Sequence, residues 1–251
     1  MSDFYFLTLG VGNAFSERYY SSCLALQAEK QWLLIDCPHP IRKILYEASA
    51  SAGVRVGIED LSATVLTHLH ADHSSGLEML GFYSRYAMNG HKARIVTHPD
   101  VSSHLWPGLL SGSMEWSIPA AGQPAVQRNI TDFFEIIPLD ETQPIQIGPF
   151  SIESRKTIHS IPTTALRITA AGRTLGLSAD TAYDQGLIDW LSEADLIIHE
   201  TGEAGLHTPL AKLTALAAPI RHKMRLIHYA DDYDVEKSEI EALKQGRLYE
   251  V

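Results

Sequence analysis

The stretch Thr67-His68-Leu69-His70-Ala71-Asp72-His73 places four potential metal ligands within six residues. It follows directly on Ala63–Thr67, an apolar segment typical of a short buried strand, and it precedes a predicted helix that begins near Ser74. Side chains alternate along an extended chain, so the first two histidines point the same way, and the next turn brings the aspartate and the last histidine round behind them. One loop can therefore offer two imidazoles to one ion and a carboxylate with an imidazole to a second.

The residue types in this loop indicate which metals it would bind. Mixed histidine and aspartate ligation suits Zn²⁺, and Mn²⁺ or iron where the cell supplies them. The alternative is a polar loop whose histidines only form hydrogen bonds. Because burying three histidines and an aspartate side by side without a metal is costly, the motif predicts a site for divalent ions, with Zn²⁺ preferred.

This loop cannot complete two coordination spheres, so further ligands are expected downstream, at the ends of predicted strands. His159 follows a strand that ends at Lys156, Asp180 follows the strand Thr174–Leu177, and His228 ends a strand that begins at Arg225. Taken singly, each of the three is more often a structural polar residue than a ligand. As a set beside the histidine loop, they indicate a centre for two ions.

Composition limits the kinds of partner. The chain has 251 residues, of which 45% are hydrophobic and 20% charged, so it can form a large core and is not disordered. Its 30 acidic and 20 basic residues give a formal net charge of −10. This balance argues against long nucleic acid and against anionic membranes, since both need clustered lysine and arginine. A small anionic substrate remains compatible, because a bound metal ion is the largest local charge in such a site.

The cysteines and the first residues indicate the cellular compartment. Cys23 and Cys37 lack the paired spacing of a cysteine zinc site, and two cysteines in a chain of this size do not make a disulfide scaffold. The opening sequence lacks a basic segment followed by a long apolar run, and no stretch approaches the length of a membrane span. We expect a soluble, cytoplasmic protein with buried thiols.

Predicted strands followed by predicted helices occur in both halves of the chain. This order favours an α/β fold in which two β-sheets lie face to face between outer helices, within one domain spanning residues 1–251. In the second half, helices are expected at Leu187–Leu191, Leu210–Ala217 and Val235–Lys244. A stretch rich in proline, glycine and tryptophan, residues 106–129, is predicted to be a loop or partly helical insertion. The sequence leaves three interpretations of this insertion open: a lid over the site, a contact in a homodimer, or a surface loop that packs only locally.

The ordered set of His-x-His-x-Asp-His at 68–73, then His159, Asp180 and His228, resembles the signature of the metallo-β-lactamase fold. The resemblance runs from the first strand to His228. It implies an αββα sandwich, and it aligns Asp36 with a buried aspartate behind the metal ligands. The alternative for Asp36 is an ordinary turn residue.

The resemblance also implies how the ligands divide between two ions. The first site would consist of His68, His70 and His159. The second would consist of Asp72, His73 and His228. Asp180 would bridge the two ions together with the attacking hydroxide, and Asp72 would count among the catalytic residues.

A second pair of motifs indicates a branch of this fold. His199-Glu200-Thr201, followed by His207-Thr208, is similar to motifs of the ribonuclease Z and phosphodiesterase branch. There the histidine that matches His207 contacts the phosphate and assists the leaving group, with the glutamate that matches Glu200 behind it. The alternative is that His207 only leads into a helix capped by Thr208.

Asp180 comes 21 residues after His159, which leaves room for a hairpin but not for the long arm that tRNA-processing members carry in this interval. The sequence resembles instead the compact anti-Pycsar proteins, which open cyclic mononucleotides. A small phosphodiester such as a cyclic nucleotide is therefore the expected substrate. The alternatives are a hydrolase of a lactam, lactone or thioester, a ribonuclease Z-like RNA nuclease, and a di-iron redox protein or metal-binding module.

Overall fold

A computed structural model describes residues 3–202 and 205–251. The strands of this part of the chain are β1 (Phe4–Gly10), β2 (Cys23–Ala28), β3 (Gln31–Ile35), β4 (Leu61–Val65), β5 (Ala93–Thr97), β6 (Trp116–Ser117), β7 (Val126–Gln127), β8 (Phe134–Pro138), β9 (Ile145–Ile147), β10 (Phe150–Lys156), β11 (Thr164–Ala170), β12 (Arg173–Leu177), β13 (Leu196–Glu200), β14 (Met224–Ile227) and β15 (Leu248–Glu250). The α-helices of the same part are α1 (Ile41–Ala52), α2 (Ala71–Ser74), α3 (Leu77–Phe82), α4 (Pro99–His104), α5 (Ser111–Met114), α6 (Gln185–Leu191), α7 (Leu210–Thr214) and α8 (Ala218–His222).

Among these residues the strands form two large sheets and one small ribbon. The first sheet has the order β15-β1-β2-β3-β4-β5-β8, and the second has the order β14-β13-β12-β11-β10-β9. Antiparallel pairs build one side of each sheet, whereas β3-β4-β5-β8 and β12-β13-β14 are parallel. Parallel neighbours end at the same edge, so each sheet has one edge where several strands finish together.

The period of two along the strands separates two cores. In β1, Phe4 and Phe6 are fully buried among residues of the second sheet, and the ring of Phe4 lies 6.1 Å from that of Phe150. Leu7 and Leu9, on the opposite face of the strand, pack instead among residues of the helical layer. Each such side chain contributes about 1.5–3 kcal/mol by burial, so this alternation holds the first sheet between the second sheet and the helices.

Helices cover the outer faces, as expected for an αββα sandwich. In α1 the apolar stripe of Ile41, Ile44 and Leu45 is buried, and the helix stops at Gly53, whose φ of 68° suits a left-handed cap. On the second sheet, α6 buries Leu187 in the core of that sheet. The predicted α/β architecture is therefore confirmed.

The helix expected at Val235–Lys244 is wrong. Only Val235–Lys237 forms a single 3-10 turn. The chain then runs extended beside β14, where the amide of Leu226 donates to Glu241 O and the amide of Leu243 donates to Leu226 O (2.9 Å each). This segment satisfies backbone groups at the edge of β14 that a helix would leave unpaired, which is why tertiary context overrides the helical pattern.

Two further segments differ in detail from expectation. The helix expected at Leu210–Ala217 ends at Thr214, and a second short helix, α8, starts with a proline in its first turn. Residues 106–129 contain part of a π-helical segment, helix α5 and the β6-β7 ribbon, so the insertion is partly helical. Within residues 3–202 and 205–251, the helices are too short or too polar to cross a lipid bilayer.

Candidate metal centre and active site

The structure gathers the predicted metal ligands at the end of the two sheets where strands finish. His68 follows β4, His159 follows β10, Asp180 follows β12 and His228 follows β14. The carboxyl ends of β12, β13 and β14 meet because these strands are parallel. Residues distant in sequence therefore converge on one place between the sheets.

The second half of the histidine motif lies on a helical turn. Helix α2 begins at Ala71, earlier than the expected start near Ser74, because the amides of His73 and Ser74 both donate to the carbonyl oxygen of His70 (3.0 Å each). The prediction placed this boundary too late, since the motif itself closes the turn. Asp72 and His73 thus leave the chain on the helix, apart from the two histidines that precede it.

The first group of ligands consists of His68, His70, His159 and Asp180, whose ligand atoms all lie within 4.8 Å of one another. His159 Nε2 lies 3.0 Å from His70 Nδ1. Asp180 Oδ2 lies 3.7 Å from His68 Nε2 and 3.9 Å from His159 Nε2. Three imidazoles and one carboxylate thus converge, as in a mixed histidine and aspartate metal site.

The second group consists of Asp72, His73, Asp180 and His228, also within 4.8 Å. Asp72 Oδ2 lies 3.2 Å from His73 Nε2 and 3.3 Å from His228 Nε2. Asp180 Oδ1 lies 3.4 Å from His73 Nε2, while its Oδ2 lies 3.6 Å from His228 Nε2. Asp180 therefore belongs to both groups, and its carboxylate lies between them.

The donor set fits a pair of divalent cations. The buried Nε2 atoms of His68 and His73 make no hydrogen bond, although carboxylate oxygens lie within 4 Å of each. Burial alone would lower the pKa of His73, but the carboxylates of Asp180 and Asp36 outweigh it and raise that pKa well above its usual value. The carboxylates thus favour a positive charge at the second group, and a metal ion bound there would supply that charge in place of a proton on His73.

A buried aspartate supports both groups from behind. His73 Nδ1–H donates to Asp36 Oδ2 (2.8 Å), and the backbone amide of Thr67 donates to Asp36 Oδ1 (2.8 Å). The Thr67 hydroxyl also donates to Asp36, so its oxygen accepts from His68 Nδ1–H (3.0 Å). These bonds hold His68 and His73 in the tautomer whose Nε2 is free to bind a metal.

This hydrogen-bond network defines the role of Asp36 and adds Thr67 to the residues of the site. Asp36 is 4% exposed and accepts several hydrogen bonds, so it is a buried support for the ligands and not an ordinary turn residue. Thr67 was not among the residues expected at the site. Its position directly before His68, with a hydroxyl that can both donate and accept, was the available signal.

Strained backbone occurs at three of the strand ends. Asp36, Ala179 and His228 have positive φ angles of 59°, 50° and 61°. For non-glycine residues such conformations cost about 1–3 kcal/mol each and persist only where the surroundings impose them. They turn the chain sharply after β3, β12 and β14, at the positions from which the site is built.

Glu200 and His207 are brought together beside the predicted metal ligands. His207 Nδ1–H donates to Glu200 Oε1 (3.2 Å), which also accepts from the amides of Thr181 (2.9 Å) and Thr208 (3.3 Å). The bond to Glu200 raises the pKa of His207. The ring centroid of His207 lies 5.0 Å from that of His228, so the pair is adjacent to the second group.

A close backbone approach helps to hold this histidine. A Cβ atom added at Gly202 would come within 2.8 Å of the Cβ of His207. The Gly202 amide donates to the Thr208 carbonyl oxygen (3.1 Å), which closes the loop around His207. Helix α7 begins only after its N-cap residue Pro209, so Thr208 is not the cap of that helix.

Comparisons with known proteins agree with this geometry. A family model described as Anti-Pycsar protein Apyc1 matches residues 4–249. The "Anti-Pycsar protein Apyc1" of Paenibacillus sp. (strain J14) is 28% identical over 251 residues, 96% of each protein. The "cAMP/cGMP-dependent 3',5'-cAMP/cGMP phosphodiesterase B" of Dictyostelium discoideum is 28% identical over 200 residues, which are 72% of this chain and 17% of that protein. Among solved structures, the metallo-beta-lactamase fold protein YhfI from Bacillus subtilis has a TM-score of 0.77 at 22% identity, over 99% of both chains. The αββα architecture is therefore the metallo-β-lactamase fold.

Proposed function

The chain belongs to the Anti-Pycsar protein Apyc1 family, and from this membership and the geometry of its site we propose that it hydrolyses cyclic mononucleotides with the help of two divalent metal ions. It is an enzyme, a metal-dependent hydrolase. The relative named for 3',5'-cAMP and cGMP supports a small cyclic phosphodiester as the substrate.

The observation that carries the proposal is the carboxylate shared by two groups of ligands. Asp180 is 3% exposed, and its two oxygens face imidazoles from both sides. Burial alone would raise the pKa of Asp180, but His73 and His228 hold it well below its usual range, so the carboxylate is charged. A charged carboxylate between two sets of nitrogen donors suits two cations placed close together.

The residues that would hold the ions follow from the two groups. We assign His68, His70 and His159 to one ion and Asp72, His73 and His228 to the other, with Asp180 common to both. Two such ions, when bound, supply a lowered pKa for water and positive charge that stabilises phosphate oxygens. We propose Zn²⁺ as the metal, because imidazole nitrogen dominates the donor set.

The remaining chemistry belongs to side chains of the protein. Asp36 and Thr67 keep the imidazoles of His68 and His73 oriented, so their Nε2 atoms face the site. Glu200 accepts from Nδ1 of His207, which leaves Nε2 of that ring to donate a proton to the leaving ribose oxygen as a general acid. We assign Asp72 as a ligand of the second ion and count it among the catalytic residues, because it would lie next to the reacting groups.

Two features favour this substrate over the alternatives. The interval between His159 and Asp180 is occupied by the hairpin β11-β12, as the spacing predicted, so the described chain has no long arm there for tRNA. Glu200 and His207 lie beside the predicted ligands as a hydrogen-bonded pair. The cyclic phosphodiester uses both, because its ribose oxygen needs a proton on leaving.

A panel of substrates tests the proposal. Purified protein loaded with Zn²⁺ is incubated with 3′,5′-cyclic mononucleotides, a cyclic dinucleotide, a short RNA, a chromogenic lactam and a thioester. Phosphorus NMR and chromatography identify the products. We expect ring opening of the cyclic mononucleotides to be the fastest reaction by kcat/KM. Faster turnover of the lactam, the thioester or the RNA would contradict the proposal.

A further inference from the structure

Resting on the proposed function, we propose that the groove beside His207 and His228 is a subsite for a nucleobase, and that Phe15 is the side chain on which the base stacks. The groove forms a cavity of about 630 Å³ next to the metal ligands. Ligand pockets of small molecules commonly have volumes of about 300–1,000 Å³. A substrate whose phosphate is held at the ligands has room to extend its base in this direction.

Apolar side chains dominate the groove. Its walls include Phe15, Leu206, Leu210, Tyr229 and Tyr233. Phe15 is 89% exposed and Leu206 is 55% exposed, so both offer apolar surface that the folded chain itself does not cover. A flat aromatic base gains by covering such surfaces, and stacking of this kind tolerates all bases.

Phe15 is exposed because hydrogen bonds hold its loop in place. Its backbone amide donates to Asn13 Oδ1 (3.0 Å), and Asn13 donates its own amide to Tyr229 O (3.2 Å). On the other side, the Ser16 hydroxyl donates to Asp231 Oδ1 (2.5 Å). The loop is thus tied on both sides of Phe15 to the segment that follows His228, which places Phe15 at the rim of the groove.

The charge of the groove indicates which chemical group it can bind. Its described walls contain no lysine or arginine, and Asp232 supplies one carboxylate. Phosphate groups are normally bound by arginine, lysine or clustered backbone amides. The groove therefore suits an uncharged base and not a second phosphate, so it selects cyclic mononucleotides over cyclic dinucleotides.

A pair of substrates separates base recognition from chemistry. One is 3′,5′-cyclic AMP, and the other is methyl ribofuranoside 3′,5′-cyclic phosphate, which has the same phosphodiester ring but no base. Phe15→Ala should raise KM for cyclic AMP about tenfold and leave kcat nearly unchanged, because stacking is lost equally in the ground and transition states. The value of kcat/KM for the baseless substrate should not change. Phe15→Trp should restore the low KM.

Controls distinguish the failure of this inference from that of the proposed function. Tyr46→Ala removes another exposed aromatic ring, which lies on helix α1 and is 74% exposed. It should change KM and kcat for neither substrate. A wild-type protein that opens neither cyclic phosphate contradicts the proposed function. If the wild-type protein opens both cyclic phosphates but Phe15→Ala lowers kcat/KM equally for both, the stacking role is overturned while the proposed function stands. The same holds if the defect is accompanied by loss of a dimer in sedimentation, which would make Phe15 a contact between two copies of the chain.

Discussion

The predicted metal-binding cluster and the groove beside it are adjacent but built in different ways. The ligands lie on strand ends and a helical turn, and His68, His73, Asp180 and His228 are each at most 3% exposed. The groove is bounded by loops, and Phe15 at its rim is almost fully exposed. Groups that need precise placement are thus set at the ends of regular elements, whereas groups that only need to cover a ligand lie on loops. Substitutions in the cluster should therefore act on the chemical step and on metal content, and those in the groove on substrate binding.

The largest effect should come from Asp180, because it belongs to both ligand groups. Asp180→Ala should reduce kcat/KM by more than about 10³-fold and remove most of the bound metal. Elemental analysis together with turnover of a cyclic mononucleotide measures both. Asp189→Ala, at an exposed position of α6, is the matched control and should change neither. An Asp180→Ala protein that keeps two ions and full activity would contradict the role of Asp180 as a ligand shared by both groups.

The next effect should come from His207, which touches both regions. His207→Ala should lower kcat by about 10²–10⁴-fold, the usual contribution of a general acid, while both metal ions remain bound. His222→Ala, on the exposed face of α8, provides the control. Retention of the wild-type rate would show that the leaving oxygen takes its proton from elsewhere. Loss of metal would place His207 among the ligands.

A smaller effect is expected from the support behind the cluster. Asp36→Asn keeps the size of the side chain but removes the carboxylate that accepts from His73 and Thr67. Metal affinity should fall by about 10–100-fold, the range found for partners of metal-binding histidines. Titration against a chromogenic chelator measures this change. Unchanged affinity would mean that the ligands are held by the fold alone.

Removal of the metal should have the smallest and most general effect. A ligand present at one hundred times its Kd stabilises a native protein by about 2.7 kcal/mol. In a protein of this size about 1 kcal/mol shifts Tm by about 2–4 °C, so a chelator should lower Tm by about 5–10 °C for each ion. Asp180→Ala should show almost no shift with the same chelator. An equal Tm in wild-type protein proven to be metal-free would argue that the ions play no part in stability.

The ligands and the sandwich could be predicted from sequence because both depend on local patterns. His68, His70, Asp72 and His73 stand together in one motif, and His159, Asp180 and His228 each follow a recognisable strand. Strands of alternating or continuous apolar residues are recognisable from their pattern, even where their exact ends are not. The structure brings all of these side chains together, while their roles as ligands stay a prediction.

What sequence could not show depends on contacts between distant segments. The support by Thr67 requires Asp36 to lie against it, and no periodicity predicts such a meeting. The sequence pattern at Val235–Lys244 predicts a helix. Backbone hydrogen bonds to the edge of β14 stabilise an extended conformation there instead. Exposure of Phe15 was equally invisible, because it follows from the bonds between two loops. Tertiary context decides each of these cases.

The pairing of β15 with β1 has a consequence for biosynthesis. Tyr5 lies opposite Glu250, so β1 leaves the ribosome long before β15 can cover its outer edge. During translation that edge presents free amide and carbonyl groups to other nascent chains, a recognised route to aggregation. Pairing between strands so far apart in sequence also gives the barrier to folding a large entropic component, since distant residues must meet. Production at low temperature or with chaperones should accordingly increase the yield of native protein.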